Sequence, residues 1–215
     1  MKREYNVDKT IFQQIDSEEK AYWLGFIDAD GCMTDKSRIQ MILKASDVGH
    51  LEKMKKFLKW NGDVKIHRYE TNQVQEGFYS RCELIFRCKP MFEDLLTLGC
   101  HPKKSGNLSF PTEEQVPREL LVPFVRGYVD GNGSLGKLTK GNYDYPRFSF
   151  CGTYDFVNGT VDKMGWKRNK IRVRDNGLAM IEWQGKYAKE YAHQLYDGAT
   201  IYLDRKYKIV NNLPF

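Results

Sequence analysis

Long apolar runs are missing from this chain of 215 residues. A membrane-spanning helix needs about 20 consecutive apolar residues, so none is expected. The opening stretch, MKREYNVDKT, carries no apolar core, which argues against a secretory signal. Cysteine is scarce: Cys32, Cys82, Cys88, Cys100 and Cys151 form an odd set without any C-x-x-C spacing. A disulfide framework and a zinc site are therefore not expected, and a reduced, intracellular setting follows. Cys100 and His101 are adjacent but lack two further ligands, and read as structural. Low-complexity runs are absent, which with 13% aromatic residues excludes general disorder. No P-loop occurs, so no P-loop nucleoside-triphosphate chemistry is signalled.

What the chain does have is charge and a core. Lys and Arg number 34 against 28 Asp and Glu, a net charge of +6, and 41% of residues are hydrophobic. The sequence pI is about 8.9. That balance suits an anionic partner without proving one.

It also repeats itself. Trp23-Leu24-Gly25-Phe26-Ile27-Asp28-Ala29-Asp30-Gly31 is echoed by Val125-Arg126-Gly127-Tyr128-Val129-Asp130-Gly131-Asn132-Gly133, 102 positions later. The pattern apolar, Gly, aromatic, apolar, Asp, small, Asp or Asn, Gly holds in both, at close to half the chain length. A basic pair follows each copy at one register: Lys103-Lys104 and Arg205-Lys206, with Lys104 and Lys206 each 74 positions beyond Asp30 and Asn132.

The intervals also match. Asp16-Ser17-Glu18-Glu19 reads as a capping box opening the first motif helix. Alternation predicts strands over 38–45, 63–69 and 79–86, with Ile39, Met41, Leu43, Val64, Ile66, Cys82, Leu84 and Phe86 inward. Helical spacing covers 47–60 and 90–98. In the second half, strands are expected over 134–139, 147–152, 170–174 and 178–184, and helices over 155–164 and 186–196. Each half thus reads as helix, two strands, helix, two strands, helix, with 1–104 and 118–215 as the repeats and the proline-bearing stretch 105–117 as the linker.

Gly25 and Ala29 lie four apart, as do Gly127 and Gly131, so each pair shares a helix face and lets two backbones approach. If the motif helices pack on these faces, Asp30 meets Asn132 across a pseudo-twofold axis. A carboxylate opposes the dipole at a helix C-terminus, and a divalent cation shared by both ends would compensate. The plainer alternative makes Gly31 and Gly133 helix caps and leaves Asp30 and Asn132 as polar bystanders. Asp28 and Asp130 point elsewhere and read as structural, bonded to backbone.

The paired motifs resemble the LAGLIDADG homing endonucleases, in the single-chain, two-motif branch, over nearly the whole chain. The resemblance implies an α+β fold of tandem αββαββα repeats, with two antiparallel four-stranded sheets forming a saddle over DNA. It implies a monomer that acts on double-stranded DNA in intron homing, by Mg²⁺-dependent hydrolysis of both strands across the minor groove. Asp30 and Asn132, with the adjoining Gly31 and Gly133, would hold the metal, and Lys104 and Lys206 look like the family's active-site lysines. Asn132 departs from the family's Asp or Glu and brings no charge, so cleavage is expected to be impaired or reduced to nicking.

The polar strand faces would then be the reading surface: Arg38, Gln40, Lys44, Lys65, His67, Tyr69, Arg81 and Glu83 in the first half, and Arg147, Ser149, Lys170, Arg172, Arg174, Glu182 and Gln184 in the second. Arg reads guanine and Gln reads adenine, while Lys contacts phosphate. The two faces differ in sequence, so a non-palindromic duplex is expected. A solvated sheet face alternates in the same way and stands as the alternative for each residue. Two other readings compete: a non-cleaving binder, such as an RNA maturase, favoured by Asn132; and an α+β small-molecule enzyme using Asp30 as an acid. No membrane partner is expected, and the lack of targeting signals fits a bacterial or phage cytoplasm.

Overall fold

A computed structural model describes residues 6–34, 37–70, 78–102 and 106–214. The first motif forms helix α1 (Glu18–Asp30), which runs straight into strand β1 (Gly31–Thr34) and back along β2 (Arg38–Lys44). Helix α2 (Val48–Phe57), strands β3 (Lys65–Glu70) and β4 (Phe78–Arg87) and helix α3 (Lys89–Thr97) complete the first half. The second motif forms α4 (Leu121–Asn132), followed by β5 (Gly133–Lys140), β6 (Tyr143–Gly152), α5 (Tyr154–Lys163), β7 (Arg172–Val173), β8 (Ala179–Gln184), α6 (Lys186–Tyr196) and α7 (Asp204–Asn211). Two antiparallel four-stranded sheets result, ordered β1-β2-β4-β3 and β5-β6-β8-β7.

Alternation decides which face of each sheet is covered. In the first sheet Ile39, Met41, Leu43, Cys82, Leu84 and Phe86 are buried beneath α2 and α3, as their spacing predicts. In the second, Phe148, Phe150, Ala179, Ile181 and Trp183 lie beneath α5 and α6. Trp166, stacked on Tyr191 at 5.0 Å, fills the space under Trp183.

The two motif helices pack on each other along their glycine faces. A Cβ placed on Gly25 would lie 2.0 Å from the carbonyl oxygen of Phe124; one on Gly127 would lie 2.0 Å from that of Tyr22. These reciprocal contacts express the pseudo-twofold relation, since Tyr22 and Phe124 are themselves 102 positions apart. Further along, a Cβ on Gly131 would meet that of Ala29 at 2.3 Å.

Several expectations are corrected. Ser17 rather than Asp16 caps α1, accepting from the Lys20 amide at 3.4 Å, while Asp16 pairs with Lys20 at 2.8 Å; with Lys at the third helical position no reciprocal box forms. Ile66 is 60% exposed, on the edge strand β3. The strand expected over 170–174 is regular only at Arg172–Val173. Alternation assigns no range to strand β1, although the repeat calls for two strands there, and helix α7 is additional to the repeat.

Because a carbonyl sits where each motif glycine's Cβ would go, Gly127→Ala should cost at least about 3 kcal/mol of folding stability. Gly49→Ala is the control: it lies exposed in α2 with open space around its Cβ, and should raise stability by about 0.5–1 kcal/mol. Urea denaturation of the two variants checks both signs.

Candidate active site at the motif-helix ends

The close approach of the helices sets their C-terminal ends side by side. Asn132 donates from Nδ2 across the seam to the Ala29 carbonyl, and to the Tyr128 hydroxyl, both at 3.4 Å. A Cβ on Gly131 would stand 3.3 Å from Asp30 Cγ. Positions 30 and 132 are thus neighbours, with Asp30 exposed and Asn132 half-buried. Gly31 and Gly133 have extended backbones, φ −68° and −95°, so neither is a left-handed cap. Each is glycine because a Cβ would meet the carbonyl of Ile27 or Val129 at 2.5 Å, where the helix turns directly into a strand.

Lys206 lies beneath the α4 end. It is 3% exposed, and Nζ donates to the carbonyls of Val129 at 2.6 Å, Asp130 at 2.8 Å and Gly133 at 2.7 Å. All three ammonium protons are so used. Burial pushes this ammonium down to about 8, against the pull of Asp130. The lysine itself therefore compensates the dipole of α4, a role the sequence reading gave to a shared cation. Its counterpart Lys104, with Lys103, lies outside the described residues.

Asp130 anchors a buried polar network. Its carboxylate accepts from the Tyr22 hydroxyl at 2.7 Å, the Tyr196 hydroxyl at 2.5 Å and the Leu203 amide at 2.7 Å. Burial raises its pKa, and Lys206 and these donors oppose the rise. The Tyr22 oxygen in turn lies 3.0 Å from His50 Nε2. Since that hydroxyl donates to Asp130, the imidazole Nε2–H donates to the tyrosine oxygen. Burial, then the charge of Lys53, lowers the His50 pKa to about 3, so it stays neutral. Asp130 does bond to backbone, as expected, but the tyrosines and His50 carried no local sequence signal. Asp28 is also buried.

Beside the seam, the uncovered sheet faces are basic. In the first sheet Arg38, Gln40, Lys44, Lys65, His67 and Arg81 share one face, and Arg81 lies over the Tyr69 ring at 4.9 Å. Glu83 is on that face but only 9% exposed, held by His67 at 2.8 Å. In the second sheet Arg147, Glu182 and Gln184 lie together with Ser149, which is buried; Lys170, Arg172 and Arg174 are exposed at the edge. Arg38 and Arg147 occupy matching registers, opposite Thr34 and Gly136 respectively. Each sheet has a hollow where its edge strand stops short. One, of about 500 Å³, is lined by Lys65, Glu83, Ile85 and Arg87; the other, of about 270 Å³, by Arg172, Met180, Glu182 and Gln184. By register these are equivalent sets, differently filled.

No family model matches the sequence, and no curated protein matches it. Solved structures do match. The chain is similar to the meganuclease I-SmaMI bound to uncleavable DNA, with a TM-score of 0.59, 12% identity, and coverage of 91% of this chain and 90% of that one. It is also similar to I-GzeII in complex with its DNA target, with a TM-score of 0.57, 15% identity and coverage of 89% and 87%. I-AabMI bound to uncleaved DNA gives 0.57, 14%, 89% and 87%. The fold is that of the LAGLIDADG homing endonucleases. Within this LAGLIDADG fold, the glycine-bearing helices are the seam and the sheets flank it. Among the described residues no group of three or more His, Cys, Asp or Glu is arranged to hold a metal ion; the seam presents one exposed carboxylate, Asp30, beside an amide and backbone carbonyls.

The buried neutral His50 makes a pH prediction. The unfolded chain takes up its proton below about pH 6.5, whereas the folded chain resists until about 3. Stability from this group is therefore present above 6.5 and lost as pH falls, by at most about 1.4 kcal/mol per pH unit. Phe156 is its counterpart, packed on Tyr128 at 4.0 Å as His50 packs on Phe26 at 4.7 Å. Denaturation between pH 7 and 5 should show this slope in the native chain and a shallower one in His50→Phe.

Proposed function

We propose that this chain is a site-specific, double-stranded DNA endonuclease of the LAGLIDADG family, acting as a monomer. One observation carries the reading: the ends of two motif helices meet, Asp30 beside Asn132, between two sheets whose open faces are basic. The faces track the phosphates and read base edges, and their different residues suit a long non-palindromic site. The seam would lie over the minor groove between the half-sites.

The donor set fits Mg²⁺. Asp30, the Asn132 amide oxygen and nearby carbonyls are hard oxygen ligands, and Mg²⁺ is commonly held by one or two carboxylates together with substrate phosphates. When bound, the ion supplies Lewis-acid stabilisation of charge on the scissile phosphate. Asp30 contributes the only motif-end negative charge. Asn132 instead spends its amide on the Ala29 carbonyl, and Lys206 neutralises the α4 end from below. The two strands of the duplex are therefore treated unequally, and the main product is nicked DNA. Asn132 also favours a second reading, a binder that does not cut, such as an intron maturase; gel shifts comparing duplex DNA with structured RNA separate the two.

The test of this function uses a supercoiled plasmid carrying a duplex selected by the protein from a random pool in Ca²⁺. With Mg²⁺ the native chain should yield nicked plasmid first. Asn132→Asp should raise linear product about tenfold or more. Without a divalent ion the same variant should melt lower, because a carboxylate then faces the Ala29 oxygen and Asp30. No gain in linear product would count against the assignment of the seam as the cutting site.

A further inference from the structure

A carboxylate on a surface that receives DNA repels the phosphates, so its presence there asks for a reason. Glu182 projects from β8 onto the open face of the second sheet, with its side chain 17% exposed. It is the centre of a continuous chain of side chains. Arg147 Nε donates to Glu182 Oε2 at 2.6 Å and Arg147 Nη2 reaches the same oxygen at 2.5 Å. The other oxygen, Oε1, accepts from Gln184 Nε2 at 2.9 Å. Gln184 Oε1 accepts from Lys140 Nζ at 3.0 Å. Four residues from three adjacent strands are thereby locked to one another.

This lock leaves reading capacity intact. A guanidinium has five N–H donors, and the bonds to Glu182 use two of them, so three remain. The Gln184 amide has its orientation fixed, nitrogen toward Glu182 and oxygen toward Lys140, yet keeps one N–H and one lone pair. These are the groups with which Arg reads guanine and Gln reads adenine in the major groove. At the register-equivalent place in the first sheet stands Ile85; the face carboxylate there is Glu83, two residues earlier on β4, which meets His67 at 2.8 Å and Arg81 at 3.7 Å instead of an Arg–Gln–Lys chain.

We infer that Glu182 is a positioning residue for specificity: it orders Arg147 and Gln184 so that this half of the protein reads two or three adjacent base pairs, at the expense of affinity for DNA in general. The inference rests on the proposed DNA-reading function and deepens it. It carries an unusual signature. Removing a residue needed only for folding weakens all binding. Removing a stray negative charge strengthens all binding alike. Removing Glu182 should strengthen binding to random DNA while weakening discrimination.

The experiment selects bound duplexes from a randomised pool in Ca²⁺ and sequences them, for the native chain, Glu182→Ala, Arg147→Ala, the double variant of these two, and a variant carrying both Arg147→Ala and Gln184→Ala, with melting temperatures taken in parallel. The native chain is expected to enrich a defined site. Glu182→Ala is expected to bind the unselected pool roughly two- to tenfold more tightly. It should also lose preference at one contiguous cluster of positions, where discrimination falls from roughly tenfold or more toward none. Arg147→Ala should blur positions within that same cluster, and the double variant should blur no others. An unchanged site profile in Glu182→Ala overturns the inference and leaves the DNA reading standing. So does blurring in Glu182→Ala at positions that the variant carrying both Arg147→Ala and Gln184→Ala leaves sharp, which would make Glu182 a direct reader of bases. Failure of the native chain to enrich any site overturns the DNA reading and this inference together.

Discussion

A backbone carbonyl seated against a missing side chain organises this molecule. The oxygen of Tyr22 occupies the space where a Gly127 Cβ would be, and the oxygen of Phe124 does the same at Gly25. At that spacing the two helices share one backbone-to-backbone contact surface, and no larger residue fits at either position. Strands β1 and β5 leave directly from the helix ends, so the same contact fixes where both sheets begin. The positions of the motif-end residues and of the open sheet faces are consequences of one seam.

The seam is symmetric in backbone and asymmetric in chemistry. Tyr22, Asp130, Tyr196 and His50 make a buried polar network on one side of the axis; the positions corresponding to Tyr22 and His50 hold Phe124 and Phe156, which pack by apolar contact. Arg126, fully within the protein, donates to the carbonyls of Ile201 and Leu195 and to Glu18, tying the start of α1 to the far half. Its counterpart is Leu24. At the helix ends Asp30 faces Asn132. Buried charge of this kind destabilises unless each group is satisfied, and here each has several partners, which makes the interface between halves specific as well as tight.

What could be read from the sequence follows from how local each signal is. The 102-residue repeat, the Gly25 and Gly127 faces and the alternation of Cys82, Leu84 and Phe86 are patterns within a few residues, and the structure follows them. Strand β1 is four residues long, too short for a period to appear. Helix α7 is mostly polar in sequence, DRKYKIVN, and its buried residues are Lys206 and Val210, which gives no apolar stripe to mark it. The register of the basic pair located Lys206 but not its direction, which is set by three carbonyls arriving from α4 and β5. Ile66 alternates correctly but lies exposed on β3, at a sheet edge. Glu182 and Arg147 were each legible as polar-face residues, but their pairing depends on the β6–β8 register.

The proposed metal site requires the two helix ends to form a single oxygen-lined place for one cation. Iron-directed backbone cleavage examines this directly: Fe²⁺ replaces Mg²⁺, and ascorbate with peroxide generates radicals that cut the polypeptide within a few ångströms of the metal. Fragment masses should reveal two cuts from one bound ion, one around residues 29–32 and one around 131–134, both suppressed by excess Mg²⁺. Cutting confined to one of these segments, or occurring away from both, would contradict the shared site.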